Sequence, residues 1–194
     1  MKYLKPLVSG LLLIVASLSF AQSKVALKTN LLSDGFLSPN LGVEVGLAPR
    51  WSLDMTGQLC FWDVNKHLWK HWMVQPEARY WFCDRFAGHF IGVHAIGGEY
   101  NFGNIRNKVK FLGSDFSQLT DYRFQGWAAG AGIAYGYDWI LSDHWNLEAV
   151  IGIGWMYTKF DQYSCFDCGK KVASGLHHNY FGPTKLAINI EYLF

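Results

Sequence analysis

The sequence predicts an all-β chain: an eight-stranded antiparallel up-and-down transmembrane β-barrel of the outer-membrane type, placed after an N-terminal signal peptide. Three observations lead there. The first is a hairpin from Gly126 to Thr158 whose arms alternate with a period of two. In its first arm Trp127, Ala129, Ala131, Ile133, Tyr135, Tyr137 and Trp139 share one face, and Gly126, Ala128, Gly130, Gly132, Ala134, Gly136 and Asp138 share the other. After the turn LSDH, Trp145, Leu147, Ala149, Ile151, Ile153, Trp155 and Tyr157 oppose Asn146, Glu148, Val150, Gly152, Gly154, Met156 and Thr158. A membrane helix fails here. The uncharged run before Asp138 falls short of the roughly 20 residues a helix needs, and each helical Gly would cost about 1 kcal/mol relative to Ala. The second observation is an alternation of long and short connections, and the third is the character of the first 21 residues.

Those residues carry Lys2 and Lys5, an apolar stretch from Leu7 to Phe20, and small residues Ser19 and Ala21 before Gln22. This is the pattern of a secretory signal peptide, which sets residues 1–21 apart from a barrel domain over 22–194. Gln rather than Cys follows the cleavage point, so no lipid anchor is expected. Removing the segment takes two of the 17 basic side chains and none of the 15 acidic ones, leaving a formal charge of zero. That balance gives no basic footprint for nucleic acid. A composition 17% aromatic with 20 Gly suits a thin barrel with an aromatic exterior.

The strands follow in order. The first, Lys24–Leu32, sets Val25, Leu27, Thr29 and Leu31 against Ala26, Lys28 and Asn30, and the loop SDGFLSP follows. The second, Asn40–Ala48, sets Leu41, Val43, Val45 and Leu47 against Gly42, Glu44 and Gly46, with Pro49 and Arg50 turning the chain. The third, Trp51–Trp62, sets Trp51, Leu53, Met55, Leu59 and Phe61 against Ser52, Asp54, Thr56, Gln58 and Cys60. The fourth, His71–Phe82, turns Trp72, Val74, Pro76, Ala78, Tyr80 and Phe82 outward and Met73, Gln75, Glu77, Arg79 and Trp81 inward. Pro76 lacks an N–H, so a bulge or a missing ladder bond is expected there. The fifth is Gly88–Tyr100; the central hairpin supplies two more; the eighth, Phe181–Phe194, sets Leu186, Ile188, Ile190, Tyr192 and Phe194 against Lys185, Ala187, Asn189 and Glu191. Long connections at 32–39, 63–70, 101–122 and 160–180 alternate with short ones near 49, 85 and 142. Both termini then lie on the short-turn, periplasmic side, and the long loops are extracellular. The terminal aromatic on an alternating strand looks like the signal read by barrel-assembly machinery.

Which face points outward is decided by contrast. In a soluble, lipocalin-like ligand-binding barrel the face Gly126, Ala128, Gly130, Gly132, Ala134 and Gly136 would meet water, yet it has no charge before Asp138. In a membrane those small residues make room in a lumen that side chains nearly fill at eight strands.

Several stretches are familiar: KTNLL from Lys28, PNLGVEVGL from Pro39, KHWMVQPEARYWFC from Lys70, GWAAGAGIAYGY from Gly126, HWNLEA from His144 and YFGPTKLAINIEYLF from Tyr180. Together they resemble an uncharacterised domain-of-unknown-function family of outer-membrane barrels from Bacteroidota. The resemblance supplies no activity and no catalytic residues. Its members are often encoded near fimbrial subunit genes, which implies a setting of surface fibres.

Counted from the short-turn ends, Lys28, Glu44, Asp54, Glu77, Arg79, Glu148 and Glu191 fall at similar depth on the inward parity. Five acids and two bases in one layer read as an ionic plug, with Arg79 as the fork that joins carboxylates and His94 as a further partner. The rival reading of that layer is a gated, proton-sensitive pathway. Cys165 and Cys168 are placed for a loop disulfide in an oxidising compartment. With His177 and His178 they do not match a zinc pattern. Cys60 and Cys83 lie toward opposite strand ends and are left unpaired. His67 and His71 stand four apart without an HExxH motif, and GAGIAYG lacks the context of a dinucleotide fingerprint. In the longest loop Arg106, Lys108, Lys110 and Phe111 are candidates for surface contact, whether with lipopolysaccharide phosphates or with a protein.

The expected role is a surface interaction or envelope-structural protein of the outer membrane with a packed lumen. Its partners are outer-membrane lipid and lipopolysaccharide, with surface or fimbrial proteins at the loops. No cofactor, metal or nucleic acid is expected. The alternative is a small outer-membrane enzyme acting on lipid A or phospholipid. Its nucleophile, base and orienting acid are not found on one inward face toward the outer leaflet, although His94 and His71 are the histidines to test first.

Overall fold

The computed structural model describes residues 25–61, 63–64, 67–103, 110–111, 114–115, 122–164 and 169–194. Eight principal strands run β1 Val25–Asn30, β2 Asn40–Ala48, β3 Trp51–Cys60, β4 His67–Trp81, β5 Gly88–Gly103, β6 Arg123–Ile140, β7 Trp145–Tyr163 and β8 Lys171–Leu193. Each pairs antiparallel with its successor, and β8 returns to β1 from Ala26↔Leu193 to Asn30↔Asn189. The sheet therefore closes in a barrel-like ring, which pairs the edges an open sheet would leave exposed. Short strands Asp63–Val64, pairing with β4, and Lys110–Phe111 with Ser114–Asp115 complete the described strands. No helix among the described residues is long and apolar enough to cross a membrane.

Several limits differ from the sequence reading. β1 stops at Asn30 rather than Leu32 because the Asn30 side chain caps a single helical turn, α1 Leu31–Gly35, accepting from Leu32 N at 3.1 Å. β3 stops at Cys60 rather than Trp62, β4 begins at His67 rather than His71 and ends at Trp81 rather than Phe82, and β5 continues to Gly103. The largest correction concerns 160–180, read as a loop. There β7 and β8 continue as a hairpin, with Lys159↔His177, Phe160↔Leu176 and Tyr163↔Lys171 in register.

At Pro76 the ladder to β5 lapses between Val74↔Gly97 and Glu77↔His94 and resumes in the same register, while Pro76 still lies opposite Met55 of β3. Proline removes the donor without shifting the strand. A true bulge lies in β8. Gly152 faces Lys185 and Ile153 faces Pro183, so Thr184 has no residue opposite it. Alternation reverses across the extra residue. Leu186 and Ile188 point out below it and Pro183 and Phe181 above it, while Thr184 and Lys185 both turn inward.

The two faces differ sharply. Outward positions are large and apolar: Val93 is 64% exposed, Ile133 62% and Leu186 63%. Inward positions include Arg79, Glu44, Asp54, Glu148 and Glu191, all at 0%. Room for them comes from small residues. A Cβ at Gly42 would lie 2.7 Å from Lys28 Cγ, and one at Gly132 would lie 2.7 Å from His94 Nε2.

Candidate functional site

Strand register alone would create a conflict inside the ring. Glu44 lies directly opposite Asp54, and Asp54 directly opposite Glu77, so three carboxylates sit side by side across β2, β3 and β4. Like charges directly opposite repel. Three long cationic side chains from other positions resolve it. Arg79, two residues nearer the short turn on β4, sends Nε to Glu77 at 2.7 Å, Nη1 to Glu44 at 2.6 Å and to Glu148, and Nη2 to Asp54 at 3.4 Å. Lys28 on β1 donates to Glu44 at 2.5 Å and to Glu191, its cross-strand neighbour, at 2.9 Å. Lys185, turned inward beside the bulge, donates to Glu77 at 3.0 Å and stands 3.6 Å from Asp54. Neutral donors complete the shell: Ser52 Oγ bonds Glu44, and Asn189 Nδ2 donates to Glu148 at 2.5 Å.

All seven residues of the predicted layer thus meet in one buried cluster. Lys185, Ser52 and Asn189 join it although they were not placed there from sequence. His94 approaches its edge, with Nδ1 3.6 Å from Glu77 Oε2. Carboxylate oxygens of Glu44, Glu148 and Glu191 lie within 4.8 Å of one another, a grouping that could embrace a cation. The ammonium of Lys28 stands at 2.5, 3.5 and 2.9 Å from the same three groups, so the chain supplies that cation itself.

Toward the short turns the cluster rests on aromatic rings. The Arg79 guanidinium lies 4.4 Å from the Phe90 ring centre, Trp81 packs on Phe90 at 4.6 Å and on Phe86 at 5.9 Å, and Trp81 Nε1 donates to Ser52 at 2.8 Å. Asn146 ties this floor down by donating to the Phe86 carbonyl at 2.9 Å and to Asp138 at 2.7 Å. Charge and aromatic layers together fill the short-turn half of the interior.

Toward the long loops the interior is looser and polar. A cavity of about 100 Å³ is lined by Asn30, Asn40, Thr56, Gln75, Thr184 and Lys185, among others. His94 Nε2 and Thr184 Oγ1 are 2.9 Å apart beside it. Higher still, Trp69 stacks on Phe102 at 4.4 Å, and His71 meets Gln58 at 3.2 Å. In the hairpin extension the Lys171 ammonium at 2.6 Å, and then the Gly175 N–H at 2.9 Å, hold the Asp161 carboxyl below its ordinary pKa.

The remaining sequence candidates are not in the cluster. Cys60 is a buried free thiol and Cys83 an exposed one. Cys165 and Cys168 of the expected disulfide, and Arg106 and Lys108 of the expected loop contact, lie outside the described residues, as do the side chains of Lys110, Phe111 and His67.

Fold and site define a class: a closed eight-stranded up-and-down sheet, apolar outside, with an ionic cluster inside. The chain belongs to the family described as "Protein of unknown function (DUF3575)", whose model matches residues 8–194. No curated protein matches it.

Proposed function

We propose that the protein is an outer-membrane β-barrel, exported by the signal peptide at 1–21, whose packed lumen bars the passage of solutes and whose loops act at the cell surface. It serves as an interaction or envelope-structural protein of Bacteroidota, with lipid and lipopolysaccharide around it and surface or fimbrial proteins as partners. Its termini face the periplasm and its long connections the exterior.

The inverted polarity of the ring carries this reading. A protein surrounded by water exposes charge and buries apolar side chains. Here Val93, Ile133, Ile153 and Leu186 cover the outside, and among the described residues nine acidic and basic side chains are buried within. A soluble ligand-binding barrel would have the reverse arrangement. The packed ionic and aromatic layers support a structural role for the lumen over a conducting one.

Fractionation tests it. The expressed protein is expected in the outer membrane, with a gel mobility in detergent that changes on boiling. A soluble protein with unchanged mobility would overturn the proposal. Loss of fibre display or adhesion on deletion tests the partner class.

A further inference from the structure

Two inward residues, Thr184 and His94, stand outside the ionic cluster and meet it at Glu77, whose Oε2 also accepts from Lys185 at 3.0 Å. Thr184 Oγ1 lies 2.9 Å from His94 Nε2, and His94 Nδ1 lies 3.6 Å from Glu77 Oε2. Glu77 and His94 are direct cross-strand neighbours on β4 and β5, so the carboxylate faces the ring by register. Thr184 joins them only because it is the extra residue of the β8 bulge. Two glycines make room for the imidazole: a Cβ at Gly132 would come within 2.5 Å of the Ile153 carbonyl oxygen and 2.7 Å of Nε2, and one at Gly152 within 3.0 Å of Cε1. His94 Nδ1 is buried without a hydrogen-bond partner, with the Glu77 carboxylate as its nearby acidic group. Thr184 in turn lines the polar cavity of about 100 Å³, beside Gln75 and Lys185.

We propose that Thr184, His94 and Glu77 form a hydroxyl–imidazole–carboxylate relay that makes Thr184 Oγ1 an acyl acceptor for small polar esters entering the lumen cavity. This goes beyond the placement in a membrane and does not depend on it. A nucleophile within hydrogen-bond reach of a base, which a third group orients, is the arrangement that activates a hydroxyl. With the proton on Nδ1, toward Glu77, Nε2 is free to accept from Thr184. Catalytic contacts are commonly longer before substrate binds, which fits the 3.6 Å separation.

The reaction balances within these groups. Thr184 Oγ1 attacks the ester carbonyl carbon while its proton passes to His94 Nε2. The bond from carbon to the alcohol oxygen breaks, that oxygen takes the proton from Nε2, and the alcohol departs. Water then attacks the acyl-threonine, giving one proton to Nε2. The carbon–Oγ1 bond breaks, the proton returns to Oγ1 and a carboxylic acid leaves. The net change is ester plus water to alcohol plus acid. Gln75 lines the cavity beside Thr184, and its Nε2, 3.5 Å from the Thr184 carbonyl oxygen, carries a second N–H for the substrate carbonyl oxygen on which charge develops. The small volume selects short acyl groups.

Methanesulfonyl fluoride is a probe small enough to enter. Attack by Thr184 Oγ1 forms the S–O bond, fluoride leaves, and the proton passes to His94. The purified folded protein, kept in detergent when recovered from the membrane and in buffer when recovered in the soluble fraction, is treated with the reagent, digested and analysed by mass spectrometry. One sulfonyl group is expected on Thr184, formed at least tenfold faster than on any other hydroxyl, since a positioned base contributes about 10²–10⁴ in rate. The label is expected to be lost in Thr184→Val, and His94→Gln is expected to slow it by at least tenfold. Thr184→Ser should keep it. An unlabelled Thr184 in the folded wild-type protein, or labelling undiminished in folded His94→Gln, would overturn the relay and leave the Thr184–His94 bond a packing contact. The wild-type peptide map decides the matter even if a variant does not fold.

Discussion

Arg79 is the side chain on which the interior depends most directly, because one guanidinium serves Glu44, Asp54, Glu77 and Glu148 at once. Truncating one partner of a buried ion pair leaves the other charge uncompensated, at about 3–5 kcal/mol. Arg79→Ala is therefore expected to lower the unfolding free energy in detergent by an amount of that order and the midpoint with it, and an unchanged midpoint would show the cluster to be energetically idle. Gly42→Ala is expected to be milder, since its Cβ would press on the Lys28 stem and the Thr56 hydroxyl, side chains and not backbone, and removes no charge; a urea titration of the two variants gives the order. Parity and depth, read from the turns, were enough to collect Lys28, Glu44, Asp54, Glu77, Arg79, Glu148 and Glu191. Lys185 escaped that reckoning because its Cα lies farther from the turn and its long stem reaches back. Thr184 escaped for a stronger reason. Strict alternation from Leu186 puts it outside, and one extra residue in a strand leaves no mark in a sequence where Pro183 and Thr184 are unremarkable in either orientation.

Among the elements, the hairpin formed by the upper parts of β7 and β8 was the one least legible in the sequence. Below the bulge each strand has one apolar and one small or polar face, and alternation identifies it. In the stretch from Phe160 to Tyr180 the residues LHHNY and the DQYS segment have no such contrast, yet backbone pairing continues there. Where both faces of a ribbon meet similar surroundings, nothing requires the side chains to alternate. α1 was missed for a related reason, since a single turn capped by Asn30 is too short to show a period. The Asp161–Lys171 pair gives the extension a measurable handle. Asp161 is lowered by the Lys171 ammonium and then by the Gly175 N–H, so the stabilisation it supplies is complete above the ordinary Asp value of about 3.9 and is lost as pH falls through its lower folded value. The Gly175 amide proton shift is expected to titrate with a midpoint below about 3.9. A midpoint at or above that value would mean that the latch is absent in solution.

For the molecule as a whole, the decisive property is which solvent the outer face meets. Ile133→Arg is expected to reduce folding stability in a bilayer by about 2–4 kcal/mol, the cost of a cation near the midplane. At an exposed position in water the same change would fall within about ±0.5 kcal/mol, so unfolding of the variant in lipid vesicles separates the two environments. The ring also has a temporal consequence. Its closing ion pair joins Lys28 and Glu191, 163 residues apart in sequence, through a ladder confined to Ala26–Asn30, whereas β6 and β7 pair continuously from Asn146 to Tyr163. Loop-closure entropy makes the distant junction late to form, and its short ladder makes it early to open. Amide exchange in β1 is accordingly expected to precede exchange in β6 and β7. During synthesis, β1 has no second neighbour until residues near Glu191 are made. Until then a nascent chain carries an unsatisfied backbone edge, and whatever shields that edge from other nascent chains governs the yield of closed rings.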